Sequence, residues 1–114
     1  MTTPLVSVIE STSYLAAARK LLNEAERAGV VDLLAADPEC GDVIRGGGGI
    51  RKVRIPLTGR GKSGGARVIY YFHSVAIPLL LITVFAKNAA ANLSGAEVSA
   101  LSKAVKIYAK EWSR

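Results

Sequence analysis

The order of hydrophobic periodicities along the 114 residues predicts an α/β chain of the α+β type, with a mainly antiparallel twisted sheet, two N-terminal helices and a C-terminal helix. Three observations predict it. Two stretches with helical spacing, Tyr14 to Leu22 and about residues 24 to 36, come early in the chain. Three β-rich stretches then follow with only loops between them, too little chain for the helical crossovers that parallel pairing needs. A capped amphipathic segment closes the sequence. The expected arrangement has the helices against one face of the sheet and the other face partly open.

Each element has a local reason. Leu5 to Ile9 is a short β-branched-rich run after Pro4 and reads as a first strand. Ser11, Thr12 and Ser13 offer N-caps to a helix with Leu15, Ala18 and Leu22 on one face. Asn23 and Glu26 form a capping box for the next helix, where Ala28, Val31 and Leu34 share a face before Asp37-Pro38 stops it. Gly46 to Gly49 passes the chain into the sheet. In Ile50 to Leu57, Val53 and Ile55 point one way while Lys52 and Arg54 point the other. Thr58 to Gly65 is a polar glycine-rich connection to a strand over Ala66 to Phe72. Leu79 to Phe85 is almost wholly apolar, which suggests a central strand buried on both faces. Ser94 and Glu97 cap a last helix with Val98, Leu101, Val105, Tyr108 and Trp112 at helical spacing.

Length leaves room for one domain, residues 1–114, with enough chain to bury a core without disulfides. The longest apolar run, Ala76 to Ala86, is broken by Pro78 and Thr83 and is too short to cross a bilayer. No basic residue precedes the first apolar run and no signal-peptide core follows, so a cytoplasmic protein is expected. A single cysteine, Cys40, offers neither a disulfide framework nor a soft-metal cluster.

The net charge of +6 is segregated. Residues 1–44 carry −4 and residues 89–114 carry +2, whereas residues 45–88 carry +8 with no Asp or Glu. A one-signed segment concentrates positive potential, and phosphate is its usual partner. Within it, Gly61-Lys62-Ser63 resembles the end of a nucleotide-binding P-loop, but Pro56 stands where the earlier glycine is required, and a strand follows instead of a helix. The loop, with Arg60 and Lys62, is either a basic finger towards nucleic acid or a solvated turn.

Lys52 and Arg54 project away from the core side of their strand, Arg67 opens the next strand and Lys87 ends the last one. If neighbouring strands pair as hairpins, these four cations converge. Convergent cations suit phosphoryl chemistry, because its transition state spreads negative charge over phosphate oxygens that arginine bridges with a planar fork. RNA supplies its own nucleophile in the 2′-hydroxyl, so neither metal nor cofactor is expected. Alternation puts Tyr71 with Arg67, where it either stacks on a base or belongs to the core. His73, the sole histidine, lies in a turn away from the cluster.

Taken in order, the blocks DPECGDVIRGGGGIRKVRI, GRGKSGGARVIYYF and LLLITVFAKN and the capped terminal helix resemble the RelE/HigB superfamily of bacterial toxins, in particular its HigB-like branch. The resemblance implies a compact α/β fold and a ribosome-dependent mRNA endonuclease, halted by a cognate antitoxin. It implies that Lys52 and Arg54 act near the 2′-hydroxyl and the scissile phosphate and that Arg67 binds that phosphate. The Gly-Lys-Arg of RelE reads Ala86-Lys87-Asn88 here, so Lys87 takes the place of the arginine that assists the leaving group. The later base-stacking tyrosine falls near Asn92-Leu93 and is absent. Arg51, Arg60, Lys62, Tyr71 and Asn88 complete the expected RNA- and ribosome-facing set. Two other readings compete: a non-catalytic nucleic-acid or ribosome-binding module, and a ParE-like toxin that poisons DNA gyrase, against which the basic set argues.

Overall fold

A computed structural model of the chain describes residues 5–57, 65–86 and 93–112. Five strands and three helices alternate as β1 (Val8–Glu10), α1 (Thr12–Leu21), α2 (Glu24–Ala36), β2 (Asp42–Val43), β3 (Ile50–Ile55), β4 (Ala66–Tyr71), β5 (Leu79–Ala86) and α3 (Gly95–Trp112). The sheet order is β1-β5-β4-β3-β2. Only β1 runs parallel to its neighbour, and the other pairs are antiparallel. The apolar strand β5 is flanked on both sides, as its composition predicts.

The predicted caps form. Ser11 accepts from the Tyr14 amide at the start of α1. Asn23 and Glu26 exchange side-chain and backbone bonds of 2.7 and 2.9 Å at the start of α2. Ser94 and Glu97 do the same before α3, and those bonds hold the Glu97 carboxyl below its usual range. In α2 the buried stripe is Val30, Leu34 and Ala35, while Ala28 is exposed.

Two cores result from period-two alternation in the strands. On one face α1 and α2 bury Tyr14, Ala18, Leu22, Val30 and Leu34 against Val53, Ile55, Val68, Tyr70 and Leu81. On the other face α3 packs Val105, Leu101 and Tyr108 over Ile50, Ile69, Tyr71 and Ile77. The expectation that all helices share one face is therefore corrected. An amphipathic pattern fixes which side of a helix is buried, not which side of the sheet buries it. β2 is likewise an addition, because two residues, Asp42 and Val43, are too few to show a period.

Candidate nucleic-acid interface

The faces are set by cross-strand register, since directly opposed residues share a face. Arg54 of β3 lies opposite Arg67 of β4, which in turn lies opposite Phe85 of β5. Lys52 lies opposite Ile69 on one side and opposite Asp42 of β2 on the other. These residues share the face on which α3 packs, because Ile50, Ile69 and Phe85 belong to its core. The helix covers the end of the face with Ile50 and Tyr71, and the cations occupy the other end of the same strands. Arg54 is exposed, and Lys52 and Arg67 are half-buried.

Arg54 and Arg67 are directly opposed, which brings two like charges together on adjacent strands. Local geometry enforces the pairing nonetheless. Gly65, at φ +63°, lies so close to β3 that a Cβ there would collide with the Ile55 carbonyl oxygen. Only glycine lets the hairpin close with Arg67 in register with Arg54.

Alternation thus brings Lys52, Arg54 and Arg67 together as expected, and two of the other expected contacts are corrected. Arg51 points to the face of Val53, where its guanidinium donates to the carbonyls of Glu39 (3.2 Å) and Gly41 (2.8 Å) and pairs with the Glu39 carboxylate at 3.5 Å. It ties down the chain entering β2 and faces away from the cluster. Tyr71 does share the face of Arg67, but α3 lies over it. The ring is 2% exposed, edge-on to Tyr108 with centroids 6.0 Å apart, and burial raises its pKa. It cannot stack on a base. His73 is exposed beside Tyr71, two residues beyond β4 at the end remote from Arg67. Arg60, Lys62, Lys87 and Asn88 lie outside the described residues.

Two residues join the site that the sequence does not single out. Asp42 is exposed and shares a face with Lys52, although it precedes the acid-free segment. Only the pairing of β2 with β3 brings a carboxylate there. Phe85, half-buried beside Arg67 and packed against the core under α3, is the aromatic ring in that row.

The opposite face is closed by α1 and α2. Tyr70, fully buried, accepts from the Gly41 amide at 2.9 Å and donates to the Pro38 carbonyl at 2.8 Å, and burial pushes its pKa up to about 12. Burial, reinforced by the Glu10 carboxylate, pushes Tyr14 up to about 12 as well.

Half of one sheet face of this small α+β fold thus carries a cationic cluster and one carboxylate, a surface of the sign that attracts phosphate. The family model for the RelE toxin of the RelE / RelB toxin-antitoxin system matches residues 36–113, and the chain belongs to this family of toxins. Its structure is similar to that of the E. coli toxin RelE, a double arginine-to-alanine mutant in the free state, with a TM-score of 0.57 and 18% identity over 89% of this chain and 97% of that one. At that identity the likeness is one of fold. No helix among the described residues is long and apolar enough to cross a membrane.

Proposed function

We propose that this toxin is a metal-independent endoribonuclease that cleaves translated mRNA on the ribosome, in the cytoplasm, until a cognate antitoxin covers its basic face. The observation that carries this reading is the register that sets Lys52, Arg54 and Arg67 on one half-open face. The 2′-hydroxyl attacks the adjacent phosphate, the bond to the 5′-oxygen breaks, and the products are a cyclic phosphate and a free 5′-hydroxyl. Arg54 and Arg67 neutralise the charge that develops on the phosphate oxygens. Lys52 orients the attacking hydroxyl, and Asp42 beside it accepts the proton, a task for which an ammonium has no lone pair. Lys87, which follows Ala86 in the sequence, gives the leaving 5′-oxygen its proton. Phe85 offers a ring for a neighbouring base. The Ala86-Lys87-Asn88 sequence favours the HigB-like branch within the family.

Induced expression in bacteria with mapping of mRNA 5′ ends tests this reading, wild type beside Arg54→Ala and Arg67→Ala. New ends inside translated frames that vanish in both variants are expected. Growth arrest with no such ends would turn the assignment to a gyrase poison or a non-catalytic binding module.

A further inference from the structure

Beyond the cluster, α3 and the loop after β2 enclose an open groove of about 610 Å³. Arg45 stands on the loop side, and Lys103 and Lys106 stand on the helix side with Ser99 and Ser102. Among the described residues no carboxylate lines it. The helical contributors recur at three- and four-residue spacing and so form one flank of α3. Glu97, the acid in the first turn of α3, is not among them and is bonded to the Ser94 amide. Three exposed cations facing one groove call for an anion.

We propose that this groove is a second RNA-binding site, one that holds the phosphate backbone of the strand being cleaved at a distance from the scissile bond. The proposal rests on the nuclease reading above. Three features favour an RNA backbone. A guanidinium, two ammonium groups and two hydroxyls are the donors that phosphate oxygens take. Among the described residues no aromatic side chain lines the groove, so it grips without stacking and without regard to base. It is also near the cluster. Arg45 lies three residues from Asp42, which is directly opposite Lys52. Three residues span at most about 10 Å and adjacent strands lie about 5 Å apart, so Arg45 and Lys52 have Cα atoms within about 15 Å. One short stretch of RNA can reach both surfaces. A peptide helix would want a broad apolar trough, and the floor offers only Ile44, Leu93 and Val98.

The test uses a fluorescent 12-nucleotide RNA with 2′-O-methyl groups, which lacks the nucleophile and so reports binding alone. Its affinity is measured against salt for the full chain and for the Arg45→Gln, Lys103→Gln, Lys106→Gln triple variant. All three positions are exposed, and thermal melts confirm folding. The expected result is a salt slope shallower by about 0.7 for each lost phosphate contact, near 2 in all. A Lys103→Arg, Lys106→Arg double variant retains the slope. An unchanged slope in the triple variant overturns the proposal, as does a wild type that does not bind the oligonucleotide. Normal oligonucleotide binding with lost co-sedimentation on ribosomes also overturns it, in favour of a ribosome-docking surface. Normal RNA binding with lost binding of a poly-glutamate peptide overturns it in favour of an acidic protein partner. Failure of the nuclease reading shows separately, in the 5′-end maps.

Discussion

Arg51 and Lys52 are consecutive in β3, yet they belong to different environments. Arg51 faces the side covered by α1 and α2, where two carbonyls and the Glu39 carboxylate occupy its guanidinium. Lys52 faces the side of α3, beyond the residues that helix buries, and shares that surface with Arg54 and Arg67. Charge alone does not separate them, and strand parity does. The face of α1 and α2 uses its polar groups to close itself: Tyr70 and Arg51 both hold the 38–41 segment. The face of α3 sets two arginines opposite each other, an arrangement that suits a ligand carrying negative charge.

The largest expected effect separates function from stability on the α3 face. Arg54→Ala and Arg67→Ala should each slow cleavage on programmed ribosomes by about 10²–10³-fold, the usual loss when one preorganised donor to a developing anion is removed. Arg54→Ala, at an exposed position, should leave the thermal melt within about 0.5 kcal/mol of the wild type. Single-turnover cleavage and thermal melts check the two halves. A loss of stability in both would make the pair structural. Next in size, Asp42→Asn should lower the cleavage rate by about 10²-fold with the melt unchanged, and Asp42→Glu should recover part of it. Full activity in the asparagine variant would leave Asp42 a solvated edge residue.

Arg51→Gln is the matching control on the closed face. It should cost about 1–3 kcal/mol in a urea melt, since the Glu39 and Gly41 carbonyls lose a charged donor. Cleavage per folded molecule should stay at the wild-type rate. A cleavage defect exceeding the stability loss would return Arg51 to the RNA-facing set.

Legibility in the sequence follows the same division. The helices, their caps and the three long strands are local, each written in periodicity and in Ser, Asn and Glu at fixed offsets, and they appear where those signals lie. The cluster is legible because alternation is a property of one strand and hairpin pairing follows from short connections. What is not legible depends on contacts distant in sequence. Tyr71 is unavailable only because α3, which starts at Gly95, lies across it. Asp42 joins the site only because a two-residue strand pairs with β3. Arg51, in contrast, is legible: alternation from Val53 assigns it to the core side, and overall charge obscures that.

The closed face also holds two buried phenols. Tyr14 and Tyr70 have pKa values pushed up to about 12, against an ordinary value of 10. In the folded chain these phenols stay protonated after the unfolded chain has begun to ionise. Unfolding therefore releases protons, and stability that is complete below pH 10 is lost as pH rises towards 12, by about 2–3 kcal/mol for each tyrosine. The two residues differ at neutral pH. The Tyr14 hydroxyl is buried without a hydrogen-bond partner, so Tyr14→Phe should change neutral stability by less than about 1 kcal/mol. Tyr70→Phe should cost about 1–3 kcal/mol, because the Gly41 amide and the Pro38 carbonyl lose their partner. Urea melts at pH 8, 10 and 11.5 should show a shallower alkaline loss in Tyr14→Phe than in the wild type. An identical loss would mean that water reaches the Tyr14 hydroxyl, and the face of α1 and α2 would then be less closed than its packing implies.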